Sequence, residues 1–277
     1  MLTDVNLDEL ISIFNLSFSD YFLPLCITKD QFIHKIETEN IQLSLSVGAF
    51  KNNKLIGFIL HGINDIENKN VLYNGGTGVI PEERGRHLTQ KMYSHTIPFL
   101  QKEKIDRIIL EVLKQNQQAL KSYLAIGFTP KRELLCFKGE IVPDLNLNSQ
   151  IIIKKLADLA WPELRSYWDV EPSWQNSPAV ADKLFSTNIS LGAYLKNQLA
   201  GYIIYNPTNQ RILQIAVKKE FRNQCIATSL VNEIIRTQGS NMSVTNIDAG
   251  SIESCRFFTK LGLQNYVNQI EMVYNFQ

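Results

Sequence analysis

One pattern occurs twice in this chain, about half a chain length apart. The first copy is entered by Gly78-Val79-Ile80-Pro81-Glu82-Glu83-Arg84-Gly85-Arg86-His87-Leu88-Thr89, continues as a helical stretch, and closes on Asn116-Gln117-Gln118-Ala119-Leu120-Lys121-Ser122-Tyr123-Leu124-Ala125-Ile126-Gly127-Phe128. The second is entered by Ala216-Val217-Lys218-Lys219-Glu220-Phe221-Arg222-Asn223-Gln224-Cys225-Ile226-Ala227 and closes on Ser251-Ile252-Glu253-Ser254-Cys255-Arg256-Phe257-Phe258-Thr259-Lys260-Leu261-Gly262-Leu263. Arg84 and Arg222 stand 138 positions apart, and Gly127 and Gly262 stand 135 apart. An offset that holds across two separated motifs argues for two copies of one fold. The length of 277 residues also suits roughly two domains of about 100–200 residues each. The repeat therefore reads as a first domain over 1–141, a polar connector over 142–150, and a second domain over 151–277.

Hydrophobic periodicity fills in each copy. Leu7, Leu10, Ile11, Phe14 and Phe18 fall at helical spacing. Thr28 with Gln31 three residues on is a capping-box start to a second helix. A hairpin is expected over 43–50 and 55–63, a strand over 71–79, and a helix over 88–102 that Pro98 should bend or shorten. A strand over 105–113, a short helix over 117–124 stopping at Gly127, and a strand over 134–141 complete the copy. The second half repeats the order: strand 151–154, helix 156–168, helix 180–186, hairpin 189–195 with 200–205, and strand 212–217. A helix around Ala227 to Ile235, strand 244–249, short helix 251–259 and strand 270–274 follow. Strands and helices mixed in this order predict an α/β (α+β) two-layer architecture, twice over.

Composition narrows the function classes. The net charge is +1 with no basic run, so no nucleic-acid partner is expected. There is no run of about 18 apolar residues and no basic, apolar leader at the start, so neither a membrane partner nor export is expected and the compartment reads as cytoplasmic. Cys26, Cys136, Cys225 and Cys255 have no CxxC spacing and read as reduced, mostly core-filling thiols. Four histidines without a cluster give no metal site.

After the strand ending at Val79, a polar turn leads into a helix. Such a turn presents backbone N–H groups to an anion, the helix dipole favours negative charge there, and Arg84 and Arg86 add to it. With the closing motif, this turn resembles the GNAT superfamily of acetyl-CoA-dependent N-acetyltransferases. The family's Arg/Gln-x-x-Gly-x-Gly/Ala signature falls on Arg84 to Thr89 and on Arg222 to Ala227. Its Asn-x-x-Ala-x-x-x-Tyr-x-x-x-Gly-Phe tail falls on Asn116, Ala119, Tyr123, Gly127 and Phe128. The resemblance covers nearly the whole chain as a tandem pair. It implies two domains, each a mixed, mostly antiparallel sheet flanked by helices, and acetyl-CoA as cosubstrate with no metal. It further implies that Val79, Arg84, Gly85, Arg86, His87, Leu88, Thr89, Asn116 and Tyr123 hold the cosubstrate. The signature glycine is His87 in one copy and Cys225 in the other, and the last position is Thr89 against the family-like Ala227.

The copies differ where the resemblance places chemistry. A tyrosine on the helix before Gly-Phe often protonates the leaving thiolate in this family. Tyr123 occupies that position, whereas the second copy has Phe258, and Asn116 becomes Ser251. The first copy is thus expected to be catalytic and the second degenerate. Glu111 on the preceding strand is the candidate base. His61 is a weaker candidate for the base, set against its reading as a surface histidine; Glu82 and Glu83 read as surface charges, and Asp20, in the loop over 19–24, is the candidate to attract a cationic amine. Trp161, Trp168 and Trp174 occupy the region of the second copy that matches the 19–24 loop. The expected acceptor is a primary amine of a small molecule or peptide. A non-catalytic acyl-CoA-binding or regulatory protein is the alternative. An aminoacyl-tRNA donor conflicts with the charge. A monomer that is an internal pseudo-dimer and a homodimer both remain open.

Overall fold

The computed structural model describes residues 1–22, 25–143 and 148–276. Packing divides the chain into two compact units, one of residues 1–131 with 270–277 and one of residues 132–269.

The first unit begins with α1 (Leu7–Phe18) and α2 (Lys29–Thr38), followed by β1 (Val47–Lys51), β2 (Lys54–Ile66) and β3 (Lys69–Val79). Next come α3 (Leu88–Lys102), β4 (Arg107–Leu113), α4 (Gln117–Ile126) and the start of β5 (Thr129–Glu140). Local chemistry fixes the ends. Asn6 caps α1 by accepting from the Asp8 and Glu9 amides, and Thr28 and Gln31 close both bonds of a capping box on α2. The β1–β2 turn puts Asn52 and Asn53 at φ 51° and 61°, the left-handed pair that a two-residue hairpin requires. Both β1–β2 and β2–β3 are antiparallel. β3 and β4 are parallel and paired over Val71–Tyr73 with Arg107–Ile109; beyond those residues they part. One face of the sheet is covered by α3 and α4 over Met92, Tyr93, Leu110, Tyr123, Phe128 and Met272. The other is covered by α1 and α2, which bring Leu10, Phe14 and Phe32 against Phe58 and Leu60.

The second unit continues β5 and adds β6 (Ile152–Lys155), α5 (Trp161–Leu164), α6 (Pro178–Lys183), β7 (Ile189–Leu195), β8 (Gln198–Asn206) and β9 (Arg211–Val217). Then follow α7 (Ile226–Gln238), β10 (Asn241–Asp248), α8 (Ile252–Lys260) and β11 (Gln264–Asn275). Its strand order is β11-β5-β10-β9-β8-β7-β6, and that of the first unit is β1-β2-β3-β4-β11. The repeat reaches fine detail. Ladder slips fall at Leu60/His61 and Ile204/Tyr205, and Lys196 and Asn197 form the same left-handed turn as Asn52 and Asn53. β9 and β10 pair only at Arg211–Ser243 and Ile212–Val244 before parting in their turn.

Several expectations need revising. The units divide within strands, not at 141 and 151. β5 passes into the second unit at Arg132, where Phe137 and Ile141 join that unit's core, and β11 returns to the first at Ile270, where Met272 joins its core. The expected connector over 142–150 includes residues 144–147, which lie outside those described, as do Leu23 and Pro24 of the 19–24 loop. Pro98 does not interrupt α3, whose buried Met92, Thr96 and Leu100 hold it on the sheet. The helix expected over 156–168 is only α5 and a 3-10 turn over Arg165–Tyr167, since Pro162 starts a helix more readily than it continues one. Of the four cysteines only Cys136 is buried; Cys26 and Cys225 are exposed. Among the described residues no helix is long and apolar enough to cross a membrane.

Candidate active site

The parting of β3 and β4 opens the first unit between its two faces. From the α4 side Tyr123 enters this region. It is 7 % exposed, and burial pushes its phenol up to about 12, with the neighbouring Thr77 and Asn74 side chains opposing the shift. Asn74 sits where β3 leaves the β4 ladder. Its Nδ2 donates to Thr77 Oγ1 at 2.7 Å and to Tyr93 Oη at 2.9 Å, while its Oδ1 accepts from the Gly76 amide at 3.0 Å. Tyr93, on α3, is fully buried, and burial raises its phenol well above the ordinary value.

Glu111 projects from β4 toward the opposite face. Leu110 and Val112 alternate with it and pack under α3 and α4. Tyr73 Oη donates to Glu111 Oε2 at 2.6 Å. Burial raises the Tyr73 phenol well above its ordinary range, and the carboxylates of Glu111, Glu39 and Glu271 add to this. Glu39 ends α2 and lies over Gly75, where a Cβ would meet its Oε2 at 2.7 Å. Lys35 pairs with Glu39 at 2.6 Å, and Lys131 with Glu271 at 3.0 Å. The candidate acid and base thus approach from opposite faces, and the gap between β3 and β4 is where groups held on either face could meet.

The loop between Val79 and α3 has the shape that the anion reading needs, but Arg84 is occupied. It forms two 2.7 Å bonds to Asp20, and it also reaches Ser17 O at 3.0 Å and Val79 O at 3.2 Å. Asp20 is held below the usual carboxylate range chiefly by the Arg84 hydrogen bond, so it is not free to draw in an amine. Arg222 repeats this with Asp169 at 2.9 Å, Tyr167 O at 3.1 Å and Val217 O at 3.3 Å. The signature arginine therefore ties the loop to the segment following the first helix in both copies. Gly85 (φ 73°) and His87 (φ 57°) are left-handed, as are Asn223 (φ 60°) and Cys225 (φ 63°). The His87 and Cys225 positions thus require a conformation natural to glycine. Neither helix has a side-chain cap, which leaves the first-turn amides, including those of Leu88 and Thr89, facing outward for an anion. Arg86 is exposed and pairs with Glu83 at 2.9 Å; Glu83 is buried and also pairs with Lys51 at 2.6 Å, so it is not the surface charge expected. Asn116 caps α4 through a bond from the Ala119 amide, and its Nδ2 reaches Tyr21 Oη at 3.4 Å. His61 is fully buried in β2, not at the surface, and burial lowers it to about 4.

In the second unit the parting of β9 and β10 opens a cleft of about 560 Å³, lined by Ile215, Val217, Cys225, Asn246, Ser251 and Phe258 among others. Trp168 flanks it and donates to Tyr202 Oη at 2.6 Å, while Trp161 donates to Asp182 at 2.8 Å and Trp174 is buried. These indoles serve packing and internal bonds. A roomy cleft thus belongs to the copy that lacks the tyrosine.

Sequence reading missed Asn74, Thr77 and Tyr93. A signal was present: at the 138-residue offset these align with Ile212, Ile215 and Val231. Polar residues on core-facing positions of one copy, aliphatic in the other, mark a local demand that the fold itself does not make.

The sequence model of the acetyltransferase (GNAT) family matches residues 7–128 and 153–263. Among solved structures, the chain is similar to a tandem GNAT protein from the clavulanic acid biosynthesis pathway, determined without AcCoA. That match has a TM-score of 0.71 and 11 % identity, and covers 99 % of this chain and 95 % of the other. A GCN5-related N-acetyltransferase from Sphaerobacter thermophilus matches with TM-score 0.69 and 14 % identity over 96 % and 91 %. Another from Kribbella flavida matches with TM-score 0.64 and 11 % identity over 99 % and 70 %. No curated protein sequence matches significantly. The chain belongs to the GNAT acetyltransferase family, in tandem form.

Proposed function

We propose that this GNAT-family chain transfers the acetyl group of acetyl-CoA to a primary amine of a small molecule or peptide, and that the first unit does the chemistry. The observation that carries this reading is the buried Tyr123 hydroxyl in a polar setting that the second copy lacks.

In the reaction a neutral amine nitrogen attacks the thioester carbonyl, a C–N bond forms, the C–S bond breaks, and nitrogen loses a proton. Glu111, held by Tyr73, is the group that takes that proton. Tyr123 faces the departing sulfur. With its phenol at about 12 and a thiol near 8.5, complete proton transfer would be uphill by several kcal/mol. Tyr123 therefore acts chiefly as a hydrogen-bond donor that stabilises the developing thiolate. The balance closes when the proton collected from nitrogen passes through solvent to the sulfur. Amides of the loop before α3 would hold the pyrophosphate, with Arg84 shaping the loop.

The cleft beside Phe258 favours a second reading for the second unit, acyl-CoA binding without chemistry. Release of coenzyme A thiol from acetyl-CoA with a panel of primary amines tests the main reading. Wild type is expected to turn over, and Tyr123→Phe to be slower by about 10²-fold in kcat. Equal rates for the two across the pH range would overturn the assignment. Calorimetry with coenzyme A on the Tyr123→Phe protein tests binding separately from turnover.

A further inference from the structure

We propose that the cleft of the second unit holds an N-acylated amine, and that Asn176 accepts the hydrogen bond from its amide N–H. The inference rests on the reading of Glu111 as the first unit's base, because it turns on what stands at that place in the second copy.

Asn176 is set at the parting of β9 and β10. The two strands pair at Arg211 with Ser243 and at Ile212 with Val244, and Asn176 ties together residues just beyond. Its Nδ2 donates to Thr245 O on β10 at 2.8 Å, and its own backbone carbonyl accepts from Gln214 Nε2 on β9. Gln214 Oε1 accepts from Tyr202 Oη at 2.7 Å, and Tyr202 Oη accepts from Trp168 Nε1 at 2.6 Å. Every direction here is fixed, because an indole N–H can only donate and a backbone carbonyl can only accept. Turning the Asn176 amide over would set its oxygen against the Thr245 carbonyl. Its Oδ1 is therefore the acceptor left over, buried and with no partner among the described residues. Asn176, Gln214, Tyr202 and Asn246 all line the cleft of about 560 Å³, and each is at most 7 % exposed. A buried acceptor of this kind costs free energy until a donor reaches it.

The first copy is built differently at the same places. Just before the matching slips, the ladders pair Leu60 with Gly76 and Ile204 with Gln214. Gln214 thus stands where the first copy has Gly76, and Tyr202 where it has Phe58. That place is apolar in the first copy, with Phe14 and Phe58 beside Gly76. The offset of 135 in the closing motifs sets Asn246 at the place of Glu111. Asn246 lies in a bulge of β10 at φ 61°, and one end of its amide is also buried without a partner among the described residues. A carboxylate can take a proton from an amine or neutralise an ammonium, and an amide can do neither. A primary amine is charged at neutral pH and would be buried here without a counter-charge. A nitrogen held beside Asn176 and Asn246 is therefore one that carries no charge yet keeps a hydrogen to donate. The nitrogen of a primary amine after acylation meets both conditions. The pantetheine arm of an acyl-CoA carries the same secondary amide, but the place of Asn246, opposite the residue that meets the amine in the first unit, favours the acylated amine. The second unit then recognises the class of compound that the first releases.

The test is a titration of ¹⁵N-labelled protein with N-butylacetamide, butyl acetate, butylammonium and pantetheine, followed by NMR. All three tryptophans lie in the second unit, so their indole N–H resonances report on it alone. The Trp168 signal, assigned by its loss in Trp168→Phe, heads the chain of bonds that ends on Asn176. It is expected to move saturably with N-butylacetamide. Butyl acetate, which has the same shape without the N–H, is expected to bind at least about 10-fold more weakly, and butylammonium not to bind. Asn246→Asp gives this place a carboxylate like that of its counterpart, and is expected to reverse the order, so that butylammonium binds more tightly than the amide. The proposal is overturned by no saturable shift with N-butylacetamide, by equal affinity for amide and ester, or by a wild-type preference for butylammonium. An unchanged order in Asn246→Asp, or a response to pantetheine alone, overturns it as well. Failure of every amine in the thiol-release assay would instead sink the reading of the first unit, while the titration still decides what the second unit holds.

Discussion

His61 makes stability depend on pH in a way that can be worked out in advance. It is fully buried in β2, its Nδ1 bonds to Leu45 O at 2.8 Å, and its Nε2 is buried without a partner. The carbonyl can only accept, so Nδ1 carries the proton of a neutral ring. Burial lowers the group from 6.5 to about 4, with the Leu45 bond opposing. The unfolded chain therefore binds a proton near 6.5 that the folded chain refuses until about 4. Stability is complete above 6.5, falls as pH drops through that window, and levels off below 4. At 1.36 kcal/mol per unit, the full loss is about 3 kcal/mol, and about 2 kcal/mol of it is gone by pH 5. His61→Phe abolishes the titration and forfeits one hydrogen bond, about 1 kcal/mol. The variant should be less stable than wild type at pH 7.5 and more stable at pH 5, with the curves crossing near pH ~6. Urea midpoints at half-unit intervals from pH 7.5 to 4.5 measure this. Parallel curves would show that the ring is not held neutral, and the argument from burial would fail.

Two other predictions concern the site. The Arg84–Asp20 pair acts by shaping the loop, so Arg84→Ala and Asp20→Ala should each weaken coenzyme A binding by calorimetry, and the double variant should be no weaker than the worse single. Additive losses would mean that Arg84 also contacts the ligand. Phe258→Tyr in a Tyr123→Phe background should not restore turnover, because Ile212, Ile215 and Val231 give the new phenol an apolar setting; recovery of thiol release would show that the polar setting of Tyr123 is not needed.

The doubled architecture and the imbalance between Tyr123 and Phe258 were legible in the sequence, because each depends on local motifs at a fixed offset. Partnerships between distant residues were not. Arg84 looked like a phosphate ligand because its motif is local, while its partner Asp20 lies 64 positions earlier. His61 looked like a surface residue because a single histidine in a strand carries no mark of which face it occupies. Glu111 was found on its strand, but its Tyr73 bond depends on how β3 and β4 lie side by side. The bonds from Asn74 to Thr77 and Tyr93 join β3 to α3, and only comparison of the two halves exposes them.

The return of the chain to the first unit at Ile270 has a consequence for synthesis. The first unit's core includes Met272, with Tyr274 packed against Phe128, and these residues are translated after the whole of the second unit. At about 5–20 residues per second, the stretch between Lys131 and Ile270 keeps that core waiting roughly 7–28 s after its other elements have left the ribosome. The first half made cannot be the first half finished. A nascent chain of this protein carries an open apolar seam beside Tyr123 until β11 arrives, so the first unit becomes complete only after the second has been made.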